Sequence, residues 1–135
     1  MGALSANRVT RSREGKTFDF KVGATTHIYA GGLVSIDDTT GYLEPATNAG
    51  SKTPAGVALA EVNNNPGNAG AKVCRVSRKG TFLFAKTSAV QGDVGAECYA
   101  ANDQTVALSG SGSKVGKIVG LEDDANVWVA IDNYV

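Results

Sequence analysis

One histidine, two cysteines and two runs of neighbouring carboxylates are the side chains of this 135-residue chain with the types and spacing to suggest chemistry. His27 lies in the alternating segment THIYA. A catalytic triad needs a nucleophile and an orienting acid converging on the histidine, and no motif supplies them, so a structural or surface role is expected. Cys74 and Cys98 stand in strand-like segments. With a single histidine they make no ligand set of zinc spacing, and reduced, buried thiols acting as small hydrophobes are expected. The glycines of LSGSGSKVG, Gly110, Gly112 and Gly116, fit neither the dinucleotide fingerprint nor the phosphate loop, so this stretch reads as a flexible connection. Asp37-Asp38 and Glu122-Asp123-Asp124 lack the calcium-loop pattern and read as solvated hairpin tips. A glycosidase-like acid pair can come from distant strands, but nothing singles one out. No enzyme activity, cofactor or metal is expected.

The elements that would position these groups have a period of two. In KTFDFKV, Phe18, Phe20 and Val22 alternate with Asp19 and Lys21, as a strand with one buried face requires. THIYA, LVSID, GVALAEV, KVCRVS, TFLFA, ECYAA, QTVAL, KVGKIVGL and NVWVAID follow, short and rich in β-branched or aromatic residues. Between them stand turn-forming clusters: DDTTG, NAGSKTP, NNNPGNAG, RKG, QGDVG, NDQ, SGSGS and EDDAN. This spacing predicts an all-β fold, a small single-domain barrel or sandwich over 17–135, with at most a short helical turn near Thr87 to Val90.

A faint internal echo runs through the pattern. Gly32-Leu33-Val34-Ser35-Ile36 leads into Asp37-Asp38-Thr39, returns at Tyr42-Leu43 and is followed by Gly56-Val57-Ala58. Gly95-Ala96-Glu97-Cys98-Tyr99 leads into Asn102-Asp103, returns at Thr105-Val106 and is followed by Gly116-Lys117-Ile118. If the echo is structural, the two acidic turns are equivalent hairpin tips; the alternative is chance likeness between two turn-rich segments.

Thirteen basic and thirteen acidic residues cancel, so the global charge asks for neither nucleic acid nor an anionic membrane. Residues 1–16 nevertheless hold Arg8, Arg11, Arg13 and Lys16 against Glu14 alone. They read as an extended basic N-terminal arm, either a docking arm onto a protein or a disordered tail. Without interleaved aromatics the arm offers no stacking platform for single strands, and no direct nucleic acid binding is expected. There is no apolar signal region and no stretch long enough to cross a bilayer, so synthesis in the cytoplasm is expected.

Several of these features together carry a resemblance. Gly56-Val57-Ala58, Val73 to Phe82 with Gly80, Gln91-Gly92-Asp93 with Tyr99, Val115-Gly116-Lys117 and the apolar strand Val127 to Ile131 resemble the pattern of the head decoration, or capsid cement, proteins of tailed bacteriophages. GGLVSID agrees with the first strands of that family, whereas the arm and KTFDFKV are less like it.

The resemblance implies a non-enzymatic structural protein of the virion, on the outer surface of the capsid, that bridges subunits of the major capsid protein. It also implies self-association as a homotrimer. Arg8, Arg11, Arg13, Lys16, Tyr29, Tyr42 and Tyr134 are the candidate capsid-contact residues, since aromatics and basic arms are natural interface groups. Phe18, Phe20 and Trp128 are expected in the core. Two other readings stay open: another phage structural module of the tail or baseplate, and a small carbohydrate-binding domain, for which the supply of aromatics is thin.

Overall fold

The computed structural model describes residues 2–3, 5–8, 10, 15–50 and 52–133. Twelve strands make up the described fold: β1 (Thr17–Lys21), β2 (Thr26–Ile28), β3 (Leu33–Asp37), β4 (Leu43–Pro45), β5 (Lys52–Ala58), β6 (Val62–Asn64), β7 (Val73–Ser77), β8 (Lys79–Ala85), β9 (Glu97–Ala100), β10 (Val106–Ala107), β11 (Lys114–Asp123) and β12 (Asn126–Asp132). The chain is therefore all-β, as its alternation predicts. Among the described residues the one helical turn is a 3-10 turn at Gln91–Asp93. It lies just past the expected Thr87 to Val90, because Ser88 has φ +53° and breaks the earlier turn.

All strand pairs within the sheets are antiparallel. One five-stranded sheet runs β1-β7-β5-β3-β4, a second runs β10-β9-β11-β12-β8, and β2 with β6 makes a separate ribbon. The arrangement is a sandwich of open sheets, not a closed barrel. Single parallel bridges, Val22 to Leu43 and Ala85 to Thr105, curl each five-stranded sheet towards closure.

The two large sheets are copies of one topology. Counting only the strands of each sheet in chain order, both lie first-fifth-fourth-second-third. The registers agree residue by residue. Thr17, Phe18, Asp19 and Phe20 face Ser77, Val76, Arg75 and Cys74; Thr81, Phe82, Leu83 and Phe84 face Ala130, Val129, Trp128 and Val127. Val34 pairs with Gly56 and Ser35 with Pro54, a bulge skipping Ala55. Cys98 pairs with Gly116 and Tyr99 with Lys114, a bulge skipping Val115. At the entry to the second strand, Gly31 (φ +83°) donates its N–H to the carbonyl of Ala58, and Gly95 (φ +95°) donates to that of Ile118. The internal echo is thus a structural duplication, with Gly31 and not Gly32 as the counterpart of Gly95. The acidic turns after Asp37 and after Ala100 are equivalent tips.

Each half has its own core. Val22, Ile28, Val34, Leu43, Ala55, Ala58, Cys74 and Val76 fill the first. Phe84, Cys98, Ala100, Val106, Val115, Ile118, Val127, Val129 and Ile131 fill the second, joined there by Leu33, Ala46 and Val57 of the first half. The second core is therefore also the seam between the halves. A buried Ser35 to Ser113 hydroxyl contact of 3.1 Å lies in that seam.

Several strand bounds differ from the expected pattern, among them those of β5 and β6. β5 begins at Lys52, inside the stretch read as the breaker NAGSKTP, because pairing with β3 supplies its ladder despite Pro54. GVALAEV is split between β5 and β6 by a bend at Leu59-Ala60.

Candidate functional site

His27 alternates with Tyr29 along the β2 segment, and the two rings stack with centroids 4.2 Å apart. The imidazole Nε2 lies 2.7 Å from Glu61 Oε2. This trio lies at the surface, with Glu61 and Tyr29 exposed. Tyr29 is 57 % exposed and borders a cleft with Gly31, Gly32, Asp103 and Gln104, where the hairpin tip of the second half meets the entry of β3.

The Asp37-Asp38 tip is held by its own side chains. Asp37 Oδ1 accepts from the N–H of Thr39 at 2.8 Å, and its Oδ2 pairs with Lys52 Nζ at 2.9 Å. Lys52 also pairs with Glu44. The ammonium of Lys52 and the N–H of Thr39 hold the Asp37 carboxyl below its ordinary range, and the two carboxylates raise Lys52. Asp38 Oδ1 accepts from Thr53 Oγ1 at 2.6 Å. All of these oxygens are engaged locally, so the acids shape the hairpin. Asp123 plays a similar part at the β11–β12 turn, accepting from Ala125 N–H at 2.9 Å, which lowers its carboxyl.

The most enclosed charges are Lys86 and Asp93, 3.0 Å apart with about a tenth of each side chain exposed. Asp93 also accepts from Val90 N–H at 3.0 Å, and this bond, with Lys86 second, lowers its carboxyl. Both acid oxygen and ammonium are spent on closing the 3-10 turn. The cysteines are free and buried, one in each core, which rules out a disulfide between them in this fold. Burial pushes the Cys98 thiol up to about 11 and raises Cys74 as well. Among the described residues no group of three or more His, Cys, Asp or Glu side chains could hold a metal ion.

The candidate contact residues do not converge on one place. Arg8 and Lys16 are exposed, and the carbonyl of Lys16 accepts from Arg78 N–H at 2.8 Å. Tyr42 is half-buried over Gly70. Arg11, Arg13 and Tyr134 lie outside the described residues.

A surface that the candidate residues omit is the outer face of β8, β12 and β11. Trp128 was expected in the core; it is 38 % exposed. Val127, Val129 and Ile131 take the inward phase of β12, so Trp128 points out with Ala130 and Asp132. Leu83, out of phase with Phe82 and Phe84, sits directly opposite it, and the bulge residue Val119 is exposed beside them. The Trp128 Nε1–H donates to Glu122 at 2.9 Å, fixing the ring across Gly120. Strict alternation in NVWVAID and TFLFA is the signal that would have placed both side chains outside.

Compared with known proteins, the sequence matches no family model. No curated protein matches it either.

Proposed function

We propose that this chain is a non-enzymatic capsid decoration protein, which binds the outer surface of an assembled phage head and bridges neighbouring subunits of the major capsid protein. The observation that supports this most is that the glycine and strand pattern behind the resemblance is built into the fold. Gly56 of Gly-Val-Ala and Gly116 of Val-Gly-Lys occupy one equivalent bulged position in the two halves.

A duplicated sandwich with one hairpin tip closed by the Asp37–Lys52 ion pair suits this work. A cement protein acts by mass action, binding the assembled shell and not the free subunit, so the assembled state gains whatever free energy the binding supplies. Contacts to two subunits at once raise the effective concentration of the second contact, and modest interfaces then suffice. The exposed Arg8 and Lys16 of the arm and the exposed Tyr29 are the side chains proposed to face the capsid protein.

The test is co-sedimentation of the purified protein with heads lacking it and, separately, with unassembled capsid subunits. Saturable binding to heads and none to free subunits is expected. Binding to neither, or to purified tails alone, would return the chain to the tail or baseplate reading.

A further inference from the structure

The duplication allows each surface position of one half to be compared with its counterpart in the other. Asp19 and Arg75 pair across β1 and β7, with Arg75 Nε 3.0 Å from Asp19 Oδ1. Leu83 and Trp128 hold the same register positions in the second half. An ion pair suited to water in one half is thus an exposed apolar pair in the other. The face it belongs to also packs in the first half, where Leu33 and Val57, the counterparts of Glu97 and Lys117, pack into the second core.

We infer that the outer face of β8, β12 and β11 docks onto the same face of a second copy of this chain, in a two-fold pair. Two features favour a copy over another partner. Trp128 and Leu83 form a ridge, and next to it lies a groove of about 500 Å³ with Val119 and Ala130 on its apolar side and Lys114, Lys117 and Asp132 on its charged side. Ridge and groove on one face can interlock reciprocally, as a two-fold interface demands.

The charges are arranged in the same sense. Glu122, Asp123 and Asp124 stand at the β11–β12 turn, one end of the face. Lys79 and Lys117 stand at the other end with Asp132 and with Lys114, which is paired to Glu97 at 2.7 Å, so this end keeps a small positive excess. A two-fold axis lying in the plane of the interface, perpendicular to the strands, opposes the two faces and lays the acidic end of one copy over the lysine end of the other. Three strands about 4.8 Å apart and seven residues of about 3.3 Å rise give a face of roughly 330 Å². That is well below the approximately 800 Å² per partner of a stable complex, so only weak, concentration-dependent association is expected.

This inference does not rest on the capsid reading, and the pair would stand in place of the homotrimer. Its test is sedimentation velocity of the full chain from low micromolar to near-millimolar concentration. The fluorescence of Trp128, the chain's only tryptophan, is followed in parallel. A monomer–dimer equilibrium is expected, with the emission moving to shorter wavelength as dimer forms and the equilibrium weakening with added salt. Leu83→Asp with Trp128→Arg installs the pair that the first half already carries at this register, and it should weaken dimerisation by about tenfold or more. If that variant fails to fold by circular dichroism, Val119→Lys replaces it with the same expectation. A monomer throughout, a trimer, or a dimer that survives the folded variant would overturn the proposal.

Discussion

Gly56 and Gly116 meet the same obstacle at the same place in the two halves: a Cβ on Gly56 would stand 2.0 Å from the carbonyl oxygen of Ser77, and one on Gly116 would stand 2.0 Å from that of Ala130. Backbone, not a flexible side chain, occupies the space, so the fourth and fifth strands of each sheet must move apart to admit a methyl group. Gly56→Ala and Gly116→Ala should each cost about 3 kcal/mol, lowering the melting temperature by roughly 10 °C. Gly92→Ala, where an added Cβ meets nothing, should change stability by less than about 0.5 kcal/mol. Thermal unfolding of the three variants checks the duplication directly; tolerance at one of the two equivalent glycines would break the equivalence.

The cysteines are packing residues. Cys98 holds the register position of Val34, and Cys74 that of Val127, so each half shows valine where the other has a thiol. Cys74→Val and Cys98→Val should therefore change stability by less than about 1.5 kcal/mol each. With its pKa near 11, Cys98 is thiolate in only about one molecule in a thousand at pH 8. Native protein should resist alkylation at that pH, and unfolded protein should react at both thiols.

Acid should act partly through Asp93. Its folded carboxyl lies below the ordinary value of 3.8, so its contribution is complete above that value and is lost as pH falls through the lower folded one. Asp93→Asn should be less stable than the parent at pH 7, with the gap narrowing below pH 4. Denaturant unfolding at a series of pH values measures this; a gap independent of pH would show that the Lys86 contact and the Val90 bond do not depend on the charge.

Replacing Asp37 and Asp38 together by alanine should lower stability slightly and leave calcium without effect on either protein. Their oxygens serve Thr39, Lys52 and Thr53, all in the same β3–β5 corner. The readout is the melting temperature with and without calcium, since a ligand of the folded state raises it. A calcium-dependent rise in the parent that the variant loses would make the tip a metal site.

The buried alternation was legible because it is local: Phe18 and Phe20, Phe82 and Phe84, and the valines of β12 repeat every second residue whatever they pair with. The duplication was legible only as an echo. Pairing conserves register and buried volume, while the outward positions diverge as far as Asp19 from Leu83 and Arg75 from Trp128. The doublet Gly31-Gly32 hid the true alignment, which only the positive φ of Gly31 and its bond to Ala58 reveal. Trp128 was misplaced because size suggested burial, whereas phase within its strand decided exposure. Strands β4 and β6, three residues each, are made by their partners and carry too few residues to show a period.

The most direct measurement is the copy number and position of this chain in particles purified from the producing system, by cryo-electron microscopy. The account predicts density on the outer shell at near parity with the major capsid protein, each copy touching more than one capsid subunit. Absence from particles, or a few copies confined to the tail, would contradict it.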